Sequence, residues 1–237
     1  MSTRITEDAS GSTCAPVLRA DLLARIQALN ADYLDLLIAE FEAGDSHAQC
    51  FPPRFGAALA QAPRSARQRI AAVPYTLFSL CFEEARFWRT VCAAQPAPFA
   101  MRYACMSHRS ARGVFCEIAL LEAWHTARAQ PRAAQVLHAM SPEVCGWLAG
   151  IPLWQVKRIA SEYPGLLMPR WPNNPAFWPD LLRLSGALDA KRFAAAQLLG
   201  FQLIAAQLAA SARCAGARGP FKPRLRPQMT PRVRVRF

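Results

Sequence analysis

Residues 69–88 read RIAAVPYTLFSLCFEEARFW and residues 158–178 read RIASEYPGLLMPRWPNNPAFW, and the overlay of the two decides the fold. Arg69-Ile70-Ala71 leads to Pro74, Leu77, Phe78 and Phe87-Trp88, while Arg158-Ile159-Ala160 leads to Pro164, Leu167, Met168 and Phe177-Trp178. Further back, Leu59-Ala60 and Pro63 match Leu148-Ala149 and Pro152 at an offset of 89, which becomes 90 once one residue is added before the later proline. A repeat describes architecture before activity, because each copy uses the same local fold and buries its apolar face against a neighbour.

Outward from this pattern the periodicity is helical. Leu22, Ile26, Leu29, Tyr33 and Leu37 recur at steps of three and four, predicting a helix over 18–43 with Gly44 as its stop. Short helices are predicted over 55–62 and 65–72, parted at Pro63, and Pro74 disfavours helix at Val73. The aromatic stretch 75–82 is partly β-like, and 83–93 is helical. In the second copy a helix from Ser110 runs to Gln130 and is interrupted at Pro131. Ser141-Pro142 starts a helix, with serine as cap and proline in the first turn, and Asn174-Pro175 repeats that grammar before Phe177. Helices over 142–149 and 153–162 follow the first start, and Asp189 caps a last helix over 190–213. The expected fold is all-α, a multi-helix bundle built from two related units, 18–109 and 110–213, between a flexible N-terminus (1–17) and a flexible basic tail (214–237). No alternation of strand and helix supports a Rossmann or barrel fold.

Composition adds bounds. A chain of 237 residues that is 53% apolar can bury a substantial core. The net charge of +12 is unevenly placed: residues 213–237 hold eight basic and no acidic side chains, leaving the first 212 with 20 basic, 16 acidic and a net of +4. No secretory leader is visible in residues 1–20, which points to the cytoplasm, and the eight scattered cysteines read as free buried thiols. The uncharged run 193–212 has the length of a membrane span, but Gln197, Gln202, Gln207 and many alanines fit a buried helix as well; no span is expected.

The segment 22–40, LLARIQALNADYLDLLIAE, resembles the opening helix of the flagellar master-regulator subunit FlhD, with a leucine pair, an Asn, a Tyr-Leu and apolar residues at similar spacing. Residues 119–171 resemble a longer stretch of that family. The likeness runs through Ala133-Ala134, the turn at His138-Ala139-Met140-Ser141, the step from Leu148-Ala149 to Gln155, and Val156-Lys157-Arg158-Ile159-Ala160. The resemblance implies a small all-helical transcriptional regulator that dimerises and recognises promoter DNA with a different, zinc-containing subunit. This chain departs from the family by carrying two tandem units, extra Pro and Trp residues over 169–179, and an arginine-rich end. Two units resemble a family dimer collapsed into one chain, while a homodimer of the whole chain stays open.

For nucleic acid, the candidate residues are Lys157 and Arg158 on the helix after Pro152, and the tail residues Arg218, Lys222, Arg224, Arg226, Arg232, Arg234 and Arg236. Positive charge attaches to phosphate without needing a fixed fold. The same tail suits an acidic protein or lipid surface, or only keeps the chain soluble. Arg64, Arg67 and Arg69 hold the corresponding place in the first copy, and an ordinary wet helix face explains all of these positions too. Trp154 and Trp171, flanked by prolines, are the candidate partner-binding residues, whereas the two Phe-Trp pairs suit core packing. The alternative function is a protein-only adaptor that binds a polypeptide through these Trp-rich turns. Glu122 and His125 form half of a di-iron motif with no second half. Cys92, Cys105, His108 and Cys116 offer a loose zinc set without a close cysteine pair. No catalytic residue, metal or cofactor is assigned, and the sequence points away from an enzyme.

Overall fold

The computed structural model of the protein describes residues 19–44, 52–94, 110–186 and 190–216, with side chains up to Arg213. The first helix, α1 (Ala20–Glu42), ends where the sequence placed its stop, with Gly44 at a φ of 67°. Glycine carries no Cβ to clash in that left-handed conformation. Short helices α2 (Pro53–Gln61) and α3 (Arg64–Ala71) follow, then strand β1 (Phe78–Ser79) and helix α4 (Ala85–Ala93). In the second half, α5 (Ala111–Ala129) is capped by the Ser110 hydroxyl, which accepts from Gly113 N at 3.1 Å. Pro131 does more than interrupt. It opens a separate helix, α6 (Pro131–His138), because a proline at the first position gives up only an N–H that has no helical partner there. Ser141 caps α7 (Pro142–Gly150) by accepting from Val144 N at 3.2 Å. Then come α8 (Leu153–Glu162), a 3₁₀ turn at Pro164–Leu166, strand β2 (Met168–Pro169), α9 (Phe177–Ser185) and α10 (Ala190–Gly216). Asn174 does not repeat the Ser141-Pro142 start: it accepts from the backbone N–H groups of Ala176 and Phe177 at 3.0 and 2.9 Å in a turn ahead of the helix, Pro175 stays in that turn, and Ala176 is the N-cap of α9. The predicted cap at Asp189 lies outside the described residues.

The fold is all-α apart from one two-residue antiparallel ladder, Phe78 with Pro169 and Ser79 with Met168. An offset of 90 carries Phe78 onto Met168 and Ser79 onto Pro169, so each strand residue pairs with the counterpart of its own neighbour. That is the pairing of a two-fold axis through the centre of the ladder. The same offset carries Cys81 onto Trp171, and both hold a left-handed backbone at φ 54° and 49°. Beside each bend a buried indole finds a carbonyl: Trp88 Nε1 donates to Cys81 O at 3.0 Å, and Trp178 Nε1 donates to Arg170 O at 2.7 Å. The Trp of each Phe-Trp pair is therefore core, at 0% exposure in both copies.

The copies are also intertwined. Helix α4, the last described helix of the first copy, packs chiefly on α7 of the second, and α9, its counterpart, packs on α10 of its own copy and on α3 and α2 of the first. Each helix is closed at its C-terminus by the half it visits. Gln155 Nε2 on α8 donates to Val91 O and Cys92 O at 2.8 and 3.0 Å, while Arg69 Nη1 on α3 donates to Ser185 O at 2.9 Å. The final carbonyls of a helix have no internal partner, so a side chain from elsewhere that satisfies them fixes where the helix ends. One apolar cluster draws on both copies, from Tyr33, Leu77 and Phe82 to Leu148, Ile159 and Trp178. Sequence copy and packing unit are thus different sets of residues.

Helix α10 leaves this body partly uncovered. Its segment Ala190–Arg213 is long and apolar enough to cross a membrane, and an 18-residue window within it has a mean hydropathy of 1.5, yet only 22% of that window is buried. The covered stripe is Phe193, Ala196, Gly200 and Ile204. At Gly200 the helix touches Tyr75 so closely that an added Cβ would meet the phenol oxygen at 2.0 Å, and that hydroxyl donates to Gln197 O at 3.0 Å. The buried-helix expectation holds for one face only.

Candidate nucleic-acid and partner surfaces

Helix α8 carries Lys157 and Arg158, and its placement follows from its apolar side. Val156, Ile159 and Ala160 are buried against α5, which leaves Leu153, Lys157 and Glu162 on the outer side. The Lys157 ammonium is 42% exposed and lies 3.8 Å from the Glu117 carboxylate of α5. Arg158 is only 14% exposed: its guanidinium lies over the Trp154 ring at 5.7 Å and 3.8 Å from Glu162. A planar guanidinium suits stacking on an aromatic face, and that use competes with reaching outward for a base edge. In the first copy Arg69 is committed to Ser185 O and the Phe193 ring, Arg67 sits 3.4 Å from Asp35, and Arg64 stands exposed. The tail cations Arg218, Lys222, Arg224, Arg226, Arg232, Arg234 and Arg236 lie outside the described residues.

The two candidate tryptophans have different surroundings. Trp171 is half-buried in the left-handed bend after β2, edge-on to Phe177 at 4.7 Å and to Tyr75 at 6.1 Å, with the Arg170 guanidinium over its face. Trp154 lies at the start of α8 next to Leu153, which is 46% exposed. At the far end of α8, Tyr163 is 40% exposed and edge-on to Phe87 of α4. Trp154 is half-buried like Trp171, so the accessible apolar position at this end of α8 is Leu153, while Trp171 is part of an aromatic stack with Phe177 and Tyr75.

Three further arrangements stand out, the first of which contains the Glu122 and His125 of the half di-iron motif. Between α1 and α5 runs a groove of about 500 Å³ lined by Arg25, Leu29, Asp32, Ile118, Trp124 and His125, and bridged at one edge by Arg25 Nε to Glu122 Oε1 at 3.1 Å. Glu122 is held there and also accepts from Thr126 Oγ1, while His125 is exposed. Beneath the ladder, Arg170 is 2% exposed and donates to Thr76 O and Leu137 O, both at 3.1 Å. Its neighbour His138 is equally buried. Burial first, then the Arg170 charge, pulls that imidazole down to about 3, so it is neutral at pH 7. The third is an ion pair: Arg112 Nε and Nη2 donate to the two Glu40 oxygens at 2.8 Å each, and Arg112 Nη1 donates to Leu167 O. The groove is open, with Arg25 and His125 exposed, whereas Arg170, His138, Arg112 and Glu40 are interior, and those of them on helices show in the sequence as a polar residue at an apolar phase.

Among the described residues the cysteines give no nucleophile. Burial pushes the Cys116 thiol up to about 12 and those of Cys81 and Cys92 up to about 11, so each is protonated at neutral pH. Among the described residues no group of three or more His, Cys, Asp or Glu side chains comes together around a metal-sized space. Cys105 and His108, half of the zinc set, lie outside them. No family model matches the chain, and no curated protein or solved structure shows significant similarity to it.

Proposed function

We propose that the protein is a non-enzymatic transcriptional regulator, or a DNA-associated regulatory factor, acting in the cytoplasm through DNA together with a partner subunit. The observation that carries this reading is the placement of charge on a two-copy helical frame. Eight basic and no acidic residues fill positions 213–237, while the preceding 212 residues have a net charge of only +4. A segment of that charge binds phosphate by releasing counterions and reads no bases. Position must then come from the body, whose two related modules surround a pseudo-two-fold axis, as the subunits of dimeric readers do over paired half-sites. Lys157 adds a phosphate contact at the rim of α8, moderated by Glu117. Arg158 shapes the Trp154 face that the partner meets. The likeness of residues 22–40 and 119–171 to FlhD supports the need for a second subunit.

Duplex binding followed by fluorescence anisotropy tests it. A specific reader keeps its preferred duplex above about 0.3 M salt and discriminates between sequences. Removal of residues 217–237 lowers affinity at low salt at least about tenfold while leaving the preference intact. Binding abolished by that deletion, with no preference among sequences, reduces the function to charge attachment, and no duplex binding at low salt overturns it. The exposed Leu153 beside Trp154 favours one other reading, a protein-only adaptor. Capture of the same single polypeptide by full-length and tail-deleted protein, with no nucleic acid, selects that alternative.

A further inference from the structure

The uncovered side of α10 has a pattern of its own. Ala194, Leu198, Phe201, Ala205, Leu208 and Ala212 follow one another at steps of four, three, four, three and four, the a/d spacing of a coiled-coil seam. The seam lies about a third of a turn around the helix from the stripe that packs on the body. Four of its residues are exposed, while Phe201 and Leu208 are half-buried with one side against the body, Phe201 edge-on to Tyr75 at 5.3 Å; Leu198, at 59%, is the most exposed large apolar side chain among the described residues. No charged residue occurs between Arg192 and Arg213, so the seam has no flanking charges to select an unlike partner.

The order of residues along the seam identifies the occupant. Read backward, it gives Ala, Leu, Ala, Phe, Leu, Ala. An antiparallel copy centred on Leu203 therefore brings Ala194 to Ala212, Leu198 to Leu208, and Phe201 to Ala205, each pair twice. Large meets small at the centre, leucine meets leucine on either side, and alanine lets the backbones close up at both ends. We propose that α10 is a self-association surface on which a second copy of this chain packs antiparallel through these six positions. The contact is isologous, so it closes at a dimer. A seam about 27 Å long buries an area at or below the roughly 1,200 Å² of a standard specific interface, which makes the dimer concentration-dependent. Pairing also sets Lys191 and Arg192 of each copy near Arg213 of the other. Added salt screens that repulsion and tightens the dimer, opposite to its effect on nucleic-acid binding.

The test is analytical ultracentrifugation of full-length, nucleic-acid-free protein between about 10 and about 300 µM. The expected result is a monomer–dimer equilibrium that strengthens between about 0.1 and about 0.5 M NaCl. Leu198→Glu and Leu208→Lys each weaken it at least about tenfold, and the two variants mixed form a heterodimer in preference to either homodimer, because antiparallel register sets position 198 opposite 208. Circular dichroism and the thermal midpoint confirm that both variants remain folded. A chain that stays monomeric over the whole range, a dimer indifferent to Leu198→Glu, or a mixture without preferential pairing overturns the proposal. So does a monomer that sediments with phosphatidylserine vesicles through Leu198, which would assign the face to lipid. None of these readouts depends on whether the protein binds DNA.

Discussion

The two copies reach the same backbone path by different chemistry. In the first, a neutral amide holds the turn into β1: Asn30 Nδ2 donates to Ala71 O at 3.2 Å and to Tyr75 O at 2.8 Å, while its Oδ1 accepts from Leu77 N at 2.8 Å. In the second, the turn into β2 is held by charge, with Arg112 on Leu167 O and Glu40 neutralising it from α1. The positions are not equivalent, since the residue matching Asn30 is Ala119. An amide satisfies donors and acceptors from one side chain and needs no counterion. A buried guanidinium needs a carboxylate in reach, and here that carboxylate comes from the other copy. Both turns lean on the other half, the second through the Glu40 carboxylate and the first through Arg170 Nη1 on Thr76 O and Thr76 Oγ1 on Leu137 O, so what differs between them is the local clamp, charged in one and neutral in the other.

Breaking the charged clamp gives the largest expected effect. Glu40→Gln leaves Arg112 buried without its counter-charge, and stability to urea falls by about 3–5 kcal/mol. Asn30→Leu, with the same branched skeleton but larger and unable to hydrogen-bond, orphans backbone groups around residues 71–77 and costs about 2–4 kcal/mol in the same measurement. If the two substitutions cost the same, the contrast between amide and charge is wrong. Gly200→Ala forces a methyl into the Tyr75 phenol and lowers stability by about 1–3 kcal/mol, with the loss shown first by proteolysis of α10.

A pH series sharpens the comparison from the second copy's side. His138 has a folded pKa lowered to about 3, below its unfolded value, so the unfolded chain binds the proton more tightly. Its contribution is fully present above about pH 6.5 and is lost as pH falls toward about 3, at up to about 1.4 kcal/mol per unit. Urea midpoints measured from pH 7 to pH 4.5 should fall more steeply for the natural chain than for His138→Asn. The smallest effect is at the paired left-handed residues. Cys81→Gly relieves the backbone and changes stability by less than about 1 kcal/mol, in either direction, because the weak thiol bond to Leu166 O goes with it. Trp171→Gly relieves the same strain but removes the ring from Phe177, Tyr75 and Arg170, and is destabilising.

Much of this was legible in the sequence. The helices and the starts at Ser110 and Ser141 followed from local chemistry, because caps and periodicity act within a few residues, whereas Asn174 holds a turn two residues ahead of the Ala176 cap of α9. The small helix at Pro131 was missed because proline ends one helix and begins another with equal ease. The exchange of α4 and α9 was not legible: an apolar stripe reads the same whether it packs on its own copy or on the other. Arg158 looked like a donor for a groove because the sequence records its charge and not the Trp154 ring beneath it. Asn30, Arg112 and His138 sit at apolar phases of their helices, and that mismatch is the signal by which buried polar clamps are found.

The ladder at Phe78–Ser79 and Met168–Pro169 has an evolutionary consequence. In a symmetric pair of separate chains, any substitution appears on both sides of the axis at once, so a residue useful to one face must be tolerated by the other. With both strands in one chain, each side mutates alone. Trp171 can occupy the bend whose counterpart is Cys81, and a basic tail can follow one terminal helix only. Covalent joining turns a shape that forces duplication into one that permits a single polarised surface, and with it a single bound partner per chain.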